Sequence, residues 1–187
     1  MLTSFIYILS YLIGSIPFGT IFSIWLCNKN PKEHGSGNIG MTNVWRIGGT
    51  KTALLTFFCD VGKGFLILWI AQSMQVSWGC CAFLVVLGHC YSAFLNFEGG
   101  KGLATSSGVI LFLSQMSFLI LFTCWLYTRQ TTHSSSKSAI VALLLLPILT
   151  WIFMPENIFT ILLLSLLVAY RHKDNMLRIK NNSEITL

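Results

Sequence analysis

The sequence predicts an all-α, polytopic membrane helical bundle, and three observations predict it. Of the 187 residues, 54% are hydrophobic and only 10% are charged, with a mean hydropathy of +0.71. Roughly a quarter of an ordinary soluble domain is charged, so this chain lacks the polar groups to cover a water-facing surface. Apolar segments at 4–27, 52–75, 78–96, 103–127, 138–154 and 156–170 have lengths suited to a hydrocarbon layer about 30 Å thick. The alternation of a membrane barrel strand is absent. Helices satisfy their own backbone groups where no water can. The chain, 1–187, reads as one domain with no internal repeat.

The elements follow in order. Segment 4–27 has no basic run ahead of it and no small-residue cleavage site behind it, so it reads as a retained helix rather than a signal peptide. A polar loop at 28–51 carries Lys29, Lys32, Arg46 and Lys51 against the single acid Glu33. Segment 52–75 contains Asp60 and Lys63, an i,i+3 pair that neutralises itself and reads as a structural ion pair positioning the loops. Segment 78–96 contains His89, which has no acid near it in sequence and reads as a hydrogen-bonded packing residue. The serines from Ser134 to Ser138 form a short loop, and Pro147 and Pro155 interrupt the apolar stretch that follows.

Topology follows from the bases. The 28–51 loop and the tail, with Arg171, Lys173, Arg178 and Lys180, belong in the cytosol, and the base-free amino terminus belongs outside. Six full crossings would return the carboxyl end to its starting side. The number of crossings must therefore be odd. Either part of 138–170 enters only partway, or another segment is split into two short helices. The sparse Arg129, His133 and Lys137 are expected outside.

Three polar islands then share the cytosolic face. In the first, Gly35, Gly37 and Gly40 let the backbone turn and present N–H groups, while Ser36, Asn38, Thr42, Asn43 and Arg46 add side-chain donors. The glycines satisfy G-x-G-x-x-G, but no strand precedes them, so a dinucleotide site is excluded. The second, Phe97-Glu98-Gly99-Gly100-Lys101-Gly102, stands at the start of a helix, where free N–H groups attract phosphate. It is no Walker A loop, because Leu95 holds the place of the first glycine. The third runs from Arg171 to Arg178. A helix continuing through it sets His172 and Asn175 at i,i+3, with Arg171, Asn175 and Arg178 in one stripe.

Exclusions narrow the chemistry. The net charge of +6 lies in short clusters, too brief for a nucleic-acid surface. The six cysteines form no C-x-x-C and read as small hydrophobes. Five residues after each histidine stand Ile39, Phe94, Ser138 and Leu177, so the H-x-x-x-x-D acyltransferase pair is missing. No acidic cluster offers itself to magnesium, and no metal or cofactor is implied. What remains is a cationic, donor-rich site at the lipid surface, suited to joining a phosphate-bearing polar substrate to a greasy one. The alternative is a small transporter of an organic phosphate, but one-sided islands disfavour a midplane site.

The chain resembles the bacterial acyl-phosphate:glycerol-3-phosphate acyltransferases. The resemblance rests on Gly14-Ser15-Ile16-Pro17-Phe18-Gly19, on Gly35 to Gly40 with Thr42, Asn43 and Arg46, and on Asp60 with Lys63-Gly64. It continues through Gly88-His89, Gly99-Gly100-Lys101-Gly102 and Ala104-Thr105 to Arg171-His172, Asn175 and Arg178. It implies about seven helical segments, some short or broken, in the inner membrane with the active site facing the cytosol. The implied reaction is acyl transfer from a fatty acyl phosphate to the 1-hydroxyl of glycerol 3-phosphate, giving lysophosphatidic acid and phosphate. Partners would be these substrates, membrane lipid and a phosphate acyltransferase supplying the donor. The resemblance gives Ser36, Arg46, Lys101, His172 and Asn175 to binding and catalysis. Gly35, Gly37, Asn38, Gly40, Thr42, Asn43, Gly99, Gly100 and Gly102 fall near the phosphates. Departures are Met41 for alanine, Ser92 for proline, Glu98 where a basic residue is common and Asn182 for glycine.

Overall fold

The computed structural model describes residues 1–181 and 183; the Asn182 departure lies outside them. Among the described residues are nine α-helices, two 3-10 turns and no strand. The chain divides into two compact units, Met1–Val109 and Ile110–Leu187.

In the first unit, segment 4–27 becomes two helices, α1 (Leu2–Ser15) and α2 (Phe18–Cys27), separated at Ile16 and Pro17. Proline lacks an N–H and forces the preceding residue toward extended backbone, and Ile16 adopts φ −60°, ψ 117°. The last carbonyls of α1 lose their helical partners at such a break. Side chains take their place: Ser92 Oγ donates to the Ser15 carbonyl at 2.5 Å, and Lys63 Nζ to that of Ile16 at 3.0 Å. The Ser92 departure thus has a use that proline could not serve.

Helix α3 (Met41–Ser73) begins well before the apolar segment expected at 52. It is kinked at Gly49, where φ 75° and ψ −177° leave the helical region for one that glycine alone enters readily. Beyond the kink it runs roughly 36 Å at about 1.5 Å per residue, enough to cross the hydrocarbon layer. The stretch before the kink carries Thr42, Asn43 and Arg46 of the first island. Helix α4 (Trp78–Cys90), a 3-10 turn at Ala93–Leu95 and α5 (Leu103–Leu113) follow.

Glycines set how closely these helices approach. A Cβ on Gly14 of α1 would meet the Val85 carbonyl of α4 at 2.2 Å, and one on Gly88 of α4 would meet that of Tyr11 at the same distance. The α3–α5 crossing is reciprocal in the same way, Gly64 against Thr105 and Gly108 against Val61. Apolar burial gives helices little reason to associate in lipid, so close backbone contact at small residues does the holding.

The second unit begins at the end of α5. Ser114 is extended, with φ −157°, and its hydroxyl caps α6 (Gln115–Thr132) by accepting the Ser117 N–H at 3.2 Å. Segment 103–127, like segment 4–27, is therefore split into two helices. Helix α7 (Ser135–Phe153) runs through Pro147, and the break falls later, at a 3-10 turn over Pro155–Asn157. Helices α8 (Ile158–Arg171) and α9 (Lys173–Lys180) complete the unit.

Both units are built for lipid as solvent. Ser10, Ser15, Ser23, Thr52, Thr56, Asp60 and Lys63 are buried in the first, and Ser117, Ser136, Ser138, Thr150, His172 and Asn175 in the second. Trp25, Phe58, Leu144, Trp151 and Phe159 face outward. Four segments, Leu2–Cys27, Met41–Ser73, Trp78–Leu95 and Ser135–Phe153, are long and apolar enough to cross a membrane.

Candidate active site

The first island is folded around Asn43. On the first turn of α3 and buried, Asn43 reaches back into the loop. Its Oδ1 accepts the Ser36 N–H at 2.7 Å, and the two hydrogens of its Nδ2 are shared among the carbonyls of Pro31 at 3.0 Å, His34 at 3.0 Å and Asn38 at 2.8 Å. Gly35 and Gly37 have φ 64° and 71°. A Cβ on Gly35 would fall 2.2 Å from Asn43 Oδ1, so that position needs glycine for both backbone and space. The Gly37 N–H closes on the His34 carbonyl at 3.3 Å. Thus the N–H groups of Ser36 and Gly37 and the amide of Asn43, expected to face an anion, are engaged inside the loop. Ser36 and Arg46 present half-buried side chains from this frame, and Gly40, extended at φ −77°, leads into the positive end of α3.

The second island is held from outside. Gly99 N–H donates to the Cys90 carbonyl at 3.1 Å and Gly100 N–H to that of His89 at 2.9 Å. A Cβ on Gly99 would meet His89 O at 2.0 Å, and one on Gly100 would meet His89 Nε2 at 2.2 Å. These glycines make room for the end of α4, which is a packing reason where sequence pointed to phosphate approach. Gly102, at φ 84°, turns the chain into α5, and Lys101 between them is half-buried. Glu98 pairs with Lys32 of the 28–51 loop at 3.4 Å, so its departure from a basic residue gains a partner. Ser36, Arg46 and Lys101 all belong to the first unit.

Beneath the second island lies a buried node that sequence reasoning saw only in part. Asp60 and Lys63 pair at 2.8 Å, as expected. His89 was expected to have no acid nearby; instead its Nδ1 lies 3.5 Å from Asp60 Oδ1 and 2.9 Å from Lys63 Nζ. The partners come from another helix, so no window of sequence displays them. Pro17 was the available signal for the Lys63 contact with the Ile16 carbonyl, since it breaks the helix beside that residue.

His172 and Asn175 lie in the second unit. The last helix does not continue through them as expected: α8 ends at Arg171, and His172, at φ −98° and ψ 6°, is the joint before α9. Both side chains are nonetheless buried while Lys173, Asp174, Met176 and Leu177 are exposed. His172 Nδ1 donates to the Val168 carbonyl at 2.7 Å, which leaves the lone pair of the neutral ring on Nε2. Asn175 Nδ2 donates to Ser136 Oγ. That bond corrects the sidedness of a loop. Ser136 lies on the first turn of α7, so Ser134, Lys137 and neighbouring His133 sit at the same end of this unit as the tail, not opposite it. The serine run, read as a bare loop, supplies the partner of Asn175 and, through Ser134, the cap of α7.

Comparison with known proteins decides the family. The glycerol-3-phosphate acyltransferase family model matches residues 4–182. The glycerol-3-phosphate acyltransferase of Syntrophomonas wolfei is 40% identical, over 95% of this chain and 93% of that one. The chain belongs to the glycerol-3-phosphate acyltransferase family. The Pseudomonas paraeruginosa member is 38% identical over 90% of this chain and 91% of its own. The crystal structure of an integral membrane glycerol 3-phosphate acyltransferase in its glycerol 3-phosphate form superposes with a TM-score of 0.93 at 32% identity, covering 100% of this chain and 96% of that one. Its lysophosphatidic acid form gives 0.92 at 31%. As a glycerol-3-phosphate acyltransferase family member this chain is an integral membrane protein of phospholipid biosynthesis.

Proposed function

We propose that this chain, acting as a single acyltransferase domain, moves a fatty acyl group from acyl phosphate to the 1-hydroxyl of glycerol 3-phosphate. The products are lysophosphatidic acid and inorganic phosphate. The observation that carries the reading is the likeness, along the whole chain, to an acyltransferase solved in glycerol 3-phosphate and lysophosphatidic acid forms. The resemblance supplies the acyl phosphate donor. That donor is a mixed anhydride with phosphate as its leaving group, so the protein's tasks are orientation and charge neutralisation.

The hydroxyl oxygen attacks the acyl carbonyl, the bond from that carbon to the phosphate oxygen breaks, and the departing phosphate takes the hydroxyl proton. Arg46 and Lys101 neutralise phosphate charge. Ser36 and Asn175 hydrogen-bond glycerol 3-phosphate. His172 is a ligand through Nε2, a role its Nδ1 bond to Val168 supports. Asn43, with Gly35 and Gly37, shapes the first loop. Asn38, Gly40, Thr42, Gly99, Gly100 and Gly102 line or shape the phosphate-binding loops.

The split at Ser114 supports the topology. Counting α1 with α2 as one crossing, then α3, α4, α5, α6, α7 and α8, gives an odd total. It leaves the amino terminus outside and the three islands, with the α6–α7 loop, in the cytosol of a bacterial inner membrane. A phosphate acyltransferase delivering the donor is the partner this reading implies.

The test is purified protein with palmitoyl phosphate and labelled glycerol 3-phosphate, without acyl carrier protein or coenzyme A. Lysophosphatidic acid is the expected product, and its absence would sink the assignment. Flux of glycerol 3-phosphate into liposomes without a donor would favour the transporter reading. Lys101→Ala should abolish most turnover in folded protein; normal turnover would make the second loop structural.

A further inference from the structure

We propose that His89 is a positioning residue for Lys101, and that Lys63 fixes the His89 ring for that purpose. The inference rests on the functional reading of Lys101 given above. The chain of contacts is continuous within the first unit. An ammonium has only hydrogens to give, and Lys63 Nζ directs them to the Ile16 carbonyl at 3.0 Å and His89 Nδ1 at 2.9 Å while forming an ion pair with Asp60 Oδ1 at 2.8 Å. Nδ1 must therefore accept, and a neutral ring carries its hydrogen on Nε2, the edge turned toward Gly100. There the fit is tight enough that a methyl group on Gly100 would overlap Nε2.

The main chain acts in the same place. The carbonyls of His89 and Cys90 receive the N–H groups of Gly100 and Gly99. The loop that presents Lys101 is thus seated on the ring and carbonyl of His89 and on the Cys90 carbonyl, and the His89 ring is oriented by a buried cation.

Charge does not explain the node. Asp60 and Lys63 are 2% and 3% exposed and neutralise one another, so together they exert little pull on a distant phosphate. What a buried pair can supply is a fixed direction, and one amine here ties the broken first span, the long α3 and the end of α4. Dense burial of this kind transmits position, because packed interiors do not deform smoothly.

Amide hydrogen exchange on the detergent-solubilised full chain tests this without substrate, so its outcome is separate from that of the acyl-transfer assay. In the unmodified protein the Gly99 and Gly100 amides should exchange slowly; exchange at the rate of an open loop would overturn the proposal. His89→Ala, or His89→Asn, which keeps an acceptor for Lys63 but no ring beneath Gly100, should speed exchange across 99–102. Turnover should fall by about tenfold to a hundredfold, the scale of a displacement near 1 Å. Added to Lys101→Ala, the His89 change should remove little further activity, because it acts through that lysine. Additive losses, or exchange that rises evenly along α4 and not at the loop, would make His89 merely structural and overturn the proposal. The charge-neutral pair Asp60→Asn/Lys63→Met reads the other link: faster exchange at 99–102 supports it, and an unchanged loop refutes the role of Lys63.

Discussion

The two glycine-rich loops of the first unit look alike in sequence and are held by opposite means. The Gly35–Arg46 loop carries its own support, since Asn43 binds the backbone at Pro31, His34, Ser36 and Asn38. The Gly99–Gly102 loop leans on the carbonyls of His89 and Cys90 and lies against the His89 ring. A loop of the first kind should fail through one residue of its own. One of the second kind should fail through its neighbours or by losing the space it occupies.

The sharpest break is Gly100→Ala. Its Cβ would fall 2.2 Å from His89 Nε2, so the ring or the loop must shift, and acyl transfer should drop by about a hundredfold if Lys101 moves by roughly 1 Å. Initial rates with acyl phosphate would show it. Asn43→Ala comes next. It takes the Asn43 amide from the Ser36 N–H and from the carbonyls of Pro31 and Asn38, while that of His34 keeps the Gly37 N–H, and a buried unsatisfied group costs roughly 1–3 kcal/mol. Faster exchange over 34–38, with little change at 99–102, is the expected pattern; equal loosening of both loops would erase the distinction drawn here. The smallest effect belongs to Glu98→Gln, which removes the exposed Lys32–Glu98 contact between the loops. Exposed pairs contribute little, so rates should stay within about threefold. A larger loss would mean that the loops depend on one another.

Sequence reasoning recovered what local pattern encodes. Hydropathy marked the spans, and i,i+3 spacing marked the Asp60–Lys63 pair. Glycine runs marked both loops. It could not show that Asn43 turns inward or that Gly99 and Gly100 leave space for α4, because both facts depend on residues brought together by folding. Ser114, an unremarkable serine in an apolar run, gave no sign that it breaks segment 103–127. His172 and Asn175 were read on one continuous helix, and the joint at His172 has neither proline nor glycine to announce it. Ser136 was passed over for the same reason: its partner, Asn175, is far along the chain.

The break at Pro17 has a consequence for how the protein is made. Ile16 leaves the ribosome well before Lys63, and Ser15 well before Ser92, yet these later residues donate to the carbonyls beside the proline; that of Ile16 also receives the Phe18 N–H at 3.2 Å. In hydrocarbon a carbonyl left without a donor costs several kcal/mol. The first span therefore gains its full set of contacts only when the second and third spans arrive, which couples the settling of the first four helices.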